Sequence, residues 1–245
     1  MTTVAGGSIA DVAGTVHRFA RNTELGRELA ARVAGDLRAA LVARESATLA
    51  VSGGSTPVPF FDALARESLD WARVLVAPVD ERWVSEDHAD SNAALIRAHL
   101  LQQAAASARF LGLYNGASTP FAAEAALTRQ LSPFARGIDV VVLGMGEDGH
   151  TASFFPGART LKQALDPQSD ALCVAVEPPQ AAHQRMSLSL AALLRARHAY
   201  LHITGAGKWA VLQAAQASCD VARWPVAALL HAPGFDLDIY YASEN

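Results

Sequence analysis

The chain has 245 residues, 51% hydrophobic and 18% charged, with a formal charge of −4. That length can bury a large core, and the composition is globular rather than disordered. The mild negative charge, with arginines dispersed along the chain, leaves no footprint for nucleic acid, and no run approaches the ~18 consecutive apolar residues of a membrane span.

In chain order, Met1–Asp11 lacks both a basic stretch and an apolar core, so no secretory signal is expected there. Thr23–Arg44 reads as a helix, Thr48–Val51 as a strand, Pro57–Arg66 as a helix and Val74–Val79 as a strand. Helices are expected over Ser91–Leu101 and Pro120–Phe134, with Pro57 and Pro120 where a first turn tolerates proline. The unbroken apolar run in Asp139–Leu143 suits a strand covered on both faces. Leu172–Val176 reads as a strand, Ser187–Arg195 as a helix, Ala199–Thr204 as a strand, Lys208–Ala217 as a helix and Asp238–Tyr241 as a strand. This alternation predicts an α/β fold, a mostly parallel sheet with helices on both faces, in a single domain spanning 1–245. Cys173 and Cys219, in no CxxC pattern, are expected as free thiols of a reducing, cytoplasmic compartment.

Four glycine-rich or polar segments follow predicted strands, at the end of the sheet where α/β proteins bind ligands. In the first, Ser52 to Pro57, Gly53 and Gly54 allow close backbone approach while Ser55 and Thr56 offer hydroxyls beside free N–H groups. It suits either an anion site at a helix start or an ordinary capped turn. In the second, Asp80-Glu81-Arg82-Trp83, the acid and the arginine either form a structural pair or leave Arg82 as a fork for an oxyanion or phosphate. The polar run behind it contains His88, read as solvated, Asp90 and Ser91 as caps, and Asn92.

The third segment, Gly144 to Thr151, carries Gly144, Gly146 and Gly149 within six residues, with Asp148 two positions before His150. A histidine is the natural general base near neutral pH, and the acid is placed to orient it. In the fourth, Gly205-Ala206-Gly207-Lys208, a lysine enters the first turn of a helix, against the macrodipole, where an anion would compensate it. Lys162 and Lys208 are the only lysines among 20 basic residues.

Taken in order, VSGGSTPVP (Val51–Pro59), VDERWV (Val79–Val84), DSN (Asp90–Asn92), LGMGEDGHTASFFPG (Leu143–Gly157), RMSL (Arg185–Leu188) and GAGK (Gly205–Lys208) resemble the 6-phosphogluconolactonase family. The resemblance implies a Rossmann-like fold shared with sugar-phosphate deaminases and isomerases, with no metal and no cofactor. It implies hydrolysis of 6-phospho-D-glucono-1,5-lactone, with His150 as base oriented by Asp148 and Arg82 in the catalytic set. By the same resemblance Gly53, Gly54, Ser55, Thr56, Asp80, Asn92, Gly146, Arg185 and Lys208 hold the substrate and its phosphate. Arg185 is expected at a helix start. The partner is the small phosphorylated lactone, acted on by a monomer or small homo-oligomer, without nucleic acid or membrane.

Two rivals share these motifs. A glucosamine-6-phosphate deaminase carries a similar Asp-Gly-His loop followed by an acidic residue, but here the position seven after Asp148 is Phe155, which moves no proton. A sugar-phosphate sensor domain could dispense with a base, yet the chain keeps His150 with Asp148 and has no helix-turn-helix extension. His17, His99, His183, His198 and His202 stand outside any motif and are expected as surface or packed residues.

Overall fold

A computed structural model describes residues 14–244; Met1–Asp11, where no signal is expected, lies outside them. The chain runs β1 (Val16–Arg21), α1 (Asn22–Ala43), β2 (Ala47–Val51), α2 (Val58–Leu64), β3 (Val74–Pro78), β4 (Asp80–Arg82), α3 (Asn92–His99) and β5 (Arg109–Phe110). It continues through α4 (Pro120–Gln130), β6 (Val140–Leu143), α5 (Leu161–Ala164), β7 (Cys173–Val176) and β8 (Arg185–Leu188). The last elements are α6 (Leu190–Leu193), β9 (His198–Thr204), α7 (Ala206–Ser218), α8 (Ala227–Leu230) and β10 (Leu237–Glu244).

Among the described residues, seven strands form one sheet in the order β1-β10-β9-β6-β2-β3-β5, and every pairing in it is parallel. Its central strands are apolar on both faces because both are covered. Leu49 and Val51 pack with α1 and α2 through Leu29, Leu37, Phe60 and Phe61, while Ala50, Val141 and Leu143 face Leu127 of α4 and Leu212 of α7. Period-two alternation therefore feeds two cores from the same strands. No helix among the described residues is long and apolar enough to cross a membrane.

From β2 the chain proceeds outward to β3 and β5, then returns to the other side of β2 with β6 and moves away through β9 and β10. The direction of winding reverses between β2 and β6, and a crevice opens at the carboxyl ends of such a pair. The loops after β2, β6 and β9 all emerge at that edge.

The structure corrects the reading of the third quarter of the chain. Leu172–Val176 was expected in the parallel sheet, but β7 belongs to a separate antiparallel sheet of order β4-β8-β7. The helix expected over Ser187–Arg195 shrinks to α6, capped by Ser189, whose Oγ accepts from Ala192 N at 3.1 Å. Arg185 accordingly stands in a strand and not at a helix start. The run Arg185–Leu188 is buried throughout and pairs across both edges, so ladder bonding and burial override its helical pattern. Pro120–Phe134 also divides: α4 stops at Gln130, and a 3₁₀ turn over Ser132–Phe134 follows where Pro133 lacks an N–H.

Candidate active site

The crevice at the winding reversal holds a cavity of about 270 Å³, walled by the loops after β2, β6 and β9 together with β4 and the start of α3. Gly53, Gly54, Ser55, Thr56, Asp80, Arg82, Asn92, Gly146, His150 and Lys208, all singled out from sequence, line it. Asp148 and Arg185 do not.

The loop after β6 is built around His150. Its carbonyl accepts from Gly146 N at 2.9 Å, and Gly149 N returns to Gly146 O at 3.1 Å. Gly149 takes a positive φ of 76°, a conformation that favours glycine. Gly146 is needed for space: a Cβ there would lie 2.2 Å from His150 Cε1 and 2.7 Å from Asp148 Oδ1. Asp148 stands behind the imidazole, with its Oδ1 2.5 Å from His150 Nδ1. Burial would raise the Asp148 carboxyl, but the hydrogen bond and charge of His150 outweigh it and hold the group below its ordinary value. A carboxylate only accepts, so Nδ1 carries the proton and Nε2 of the neutral ring keeps its lone pair. The ring of Phe155 lies 4.4 Å from the imidazole.

The loop after β2 meets Asn92, the first residue of α3. A Cβ on Gly53 would sit 1.9 Å from Asn92 Oδ1, so glycine lets the loop close against that amide. Asn92 Nδ2 donates to Asp80 O at 2.8 Å, and Ser153 Oγ donates to Asp80 Oδ2 at 2.6 Å. Glu81 is fully buried and caps α3, accepting from Asn92 N and Ala93 N at 2.7 Å and from Ser91 Oγ at 3.2 Å. Burial pushes its carboxyl upward, against these hydrogen bonds.

Of the two readings of Asp80 with Arg82, the geometry favours the unpaired one. Asp80 is engaged by Ser153, and Arg82 Nη1 donates to the backbone carbonyl of Asp90 at 2.7 Å. Arg185 faces Arg82 across the β4–β8 ladder and donates to His183 O at 2.6 Å. Burial, reinforced by the charge of Arg82, lowers its pKa. It stands opposite Arg82 in the ladder and is not among the residues that line the cavity.

Lys208 enters α7 behind Gly205, whose φ of 85° turns the chain into the helix. Burial lowers its pKa while Glu147 opposes the shift. Beside it lies His202, which also lines the cavity and was expected only as a packed or surface residue. It is 2% exposed, and burial, with the nearby Lys208 charge, pushes its pKa down to about 3. One signal was available: a histidine two residues from the carboxyl end of a strand, at the ligand-binding edge. Asn22, at the start of α1, was also missed; it joins His202 to the carbonyl of Thr56.

Among the described residues, one group converges as metal ligands: His88, Asp90 and His183, with ligand atoms within 4.8 Å of one another. It stands outside the cavity lining, where Asp90 Oδ2 lies 3.0 Å from His183 Nε2. His183 was expected without a motif and His88 as solvated.

A family model described as glucosamine-6-phosphate isomerases/6-phosphogluconolactonase matches residues 20–236. A 6-phosphogluconolactonase of Pseudomonas aeruginosa is 50% identical over 210 residues, covering 86% of this chain and 88% of that protein. One from Rhizobium meliloti is 43% identical over 231 residues, 94% of this chain and 100% of its own length. The crystal structure of a 6-phosphogluconolactonase from Shewanella baltica superposes with a TM-score of 0.91 at 42% identity, covering 96% of this chain and 100% of that one. A monomeric glucosamine-6-phosphate deaminase shares the fold at 18% identity, with a TM-score of 0.76 over 93% of this chain and 97% of its own.

Proposed function

The chain belongs to the family of glucosamine-6-phosphate isomerases and 6-phosphogluconolactonases, and from that premise we propose that it hydrolyses 6-phospho-D-glucono-1,5-lactone to 6-phosphogluconate in the oxidative pentose phosphate pathway. The observation that carries the reading is His150, held in one tautomer by Asp148 and facing a cavity that also presents Arg82 and Lys208.

The phosphate is anchored by the hydroxyls and N–H groups of Ser55 and Thr56 and by Lys208, which places the lactone carbonyl carbon over His150. Nε2 of His150 takes a proton from water as its oxygen bonds to C1. The carbonyl becomes an oxyanion, stabilised by Arg82, whose guanidinium is not spent on a neighbouring carboxylate. Collapse breaks the bond from C1 to the ring oxygen, and the imidazolium returns its proton to that oxygen. One water is consumed, no electrons are transferred and no covalent enzyme intermediate is needed. Such chemistry belongs with sugar-phosphate metabolism in the cytoplasm.

Phe155 argues against deamination. It packs on the His150 ring at 4.4 Å and offers no proton-transferring group where the deaminases place an acid.

The deciding experiment is hydrolysis of freshly generated 6-phosphogluconolactone, corrected for spontaneous opening, by wild type and His150→Ala. Wild type accelerates the reaction, and the variant loses about 10²–10⁴-fold of that gain. A wild-type rate equal to background overturns the assignment, and turnover of glucosamine 6-phosphate by the same preparation would favour the rival chemistry.

A further inference from the structure

Three buried side-chain polar atoms among the described residues have no hydrogen-bond partner: Thr160 Oγ1, Gln216 Nε2 and His202 Nδ1. Only His202 belongs to a residue of the cavity wall. Its protonation is fixed by its neighbours. Asn22 Nδ2 donates to the carbonyl of Thr56 at 2.9 Å, so Asn22 Oδ1 is the atom facing His202 Nε2 at 2.7 Å. An amide oxygen only accepts; Nε2 therefore carries the proton. Burial keeps the ring neutral, which leaves Nδ1 as a bare acceptor in a site where an unsatisfied polar atom is costly.

The occupant of that lone pair must be a donor. A phosphate dianion has no proton to give and would be repelled. Phe60 meets the ring edge-on and offers only carbon. The cation that acts on the ring is Lys208, on the adjacent helix start and in the same cavity wall. No hydrogen bond joins the two side chains in the structure, but the flexible four-carbon stem of a lysine gives its ammonium several staggered positions.

We propose that His202 is a positioning residue: its Nδ1 accepts a hydrogen bond from the Lys208 ammonium and so aims the two remaining N–H groups of that lysine at the phosphate of the bound ligand. The proposal rests on the phosphorylated-lactone reading. It gives the buried Thr56–Asn22–His202 chain a task, since one hydrogen-bonded unit then sets both the β2 loop and Lys208, the two parts of the phosphate site.

The test separates the two ring nitrogens. His202→Gln places an amide near Nε2 and loses the Nδ1 acceptor, whereas His202→Asn supplies an acceptor near Nδ1. Binding of 6-phosphogluconate and of inorganic phosphate is measured by calorimetry on folded variants, each alone and combined with Lys208→Met. His202→Gln weakens binding of both ligands about ten-fold with kcat for the lactone nearly unchanged, and His202→Asn, which keeps an acceptor near Nδ1 but gives up the contact with Asn22, recovers part of that loss. In the Lys208→Met background His202→Gln has no further effect, the signature of residues acting as a unit. Wild-type affinity in His202→Gln, or an equal loss with and without Lys208, overturns the proposal. If His202→Gln does not fold, a loss of binding in His202→Asn as large as that of Lys208→Met overturns it. Phosphate binding with this coupling but without lactone turnover would leave His202 in its role and remove the lactonase reading instead.

Discussion

Oδ1 of Asp148 contacts His150 twice, at 2.5 Å to the ring Nδ1 and at 3.1 Å to the backbone N–H. One carboxylate oxygen thus fixes both the tautomer and the orientation of the imidazole. Asp148→Asn removes the charge, and its amide can present N–H instead of oxygen to Nδ1, which favours the wrong tautomer. We expect kcat to fall by about 10²-fold or more, with KM for the lactone little changed.

The same residue predicts a pH signature. The native Asp148 carboxyl titrates below its ordinary value, so between the two values the unfolded chain binds more protons. Its contribution to stability is therefore complete above about pH 4 and is lost as pH falls through the native value. Urea unfolding of wild type and Asp148→Asn across pH 2–5 checks this (on the order of one titrating group). Wild type should lose stability more steeply than the variant on the acid side. Parallel curves would contradict it.

Gly146→Ala tests the space around the base. The added carbon would fall 2.2 Å from His150 Cε1, so the imidazole must move. A shift of about 1 Å can lower the rate about 10²-fold. Circular dichroism and thermal melting should stay close to wild type, because the displaced ring sits in a partly exposed loop and not in either core.

Lys208→Met keeps the stem and removes the ammonium. A charge-assisted contact to phosphate is worth roughly 1.5–3 kcal/mol, so KM for the lactone and the inhibition constant of 6-phosphogluconate should each rise about ten-fold or more. The lost burial penalty of the ammonium makes the folded protein equally or more stable in denaturant. Unchanged ligand binding would place the phosphate elsewhere.

Glu81 carries stability rather than chemistry. It is fully buried and accepts two backbone N–H bonds at the start of α3, another from Arg82 N at 2.8 Å and the Ser91 hydroxyl. Glu81→Ala strands these donors and opens a void, and should destabilise the protein by roughly 3 kcal/mol or more. Chemical denaturation measures the loss. A shift within the range of a surface substitution would show that water replaces the carboxylate.

Much of this site is legible in the order of the residues alone. Gly146 and Gly149 in a tight turn, a proline opening α4, and apolar runs fit only for doubly covered strands are consequences of local geometry and burial, expressed within a few residues of chain. So are glycine-rich segments placed directly after strands. These features place His150, Arg82, Lys208 and the Gly53–Thr56 loop at one edge of a parallel sheet, and the cavity brings them together.

What local pattern could not supply depended on partners distant in the chain. Arg185–Leu188 carries side chains that suit a helix or a strand, and pairing with β4, about a hundred residues earlier by the register of Arg82 with Arg185, makes it a strand. That pairing sets Arg185 opposite Arg82 in the ladder, outside the residues that line the cavity. His202 looks like any polar residue within β9. It becomes cavity wall because Asn22, 180 positions away, binds one ring nitrogen while Lys208 lies beside the ring. Torsional preference and periodicity act over a turn or a pleat, whereas the neighbours of a buried polar atom are set by strand order, and strand order exists only once the sheet has closed.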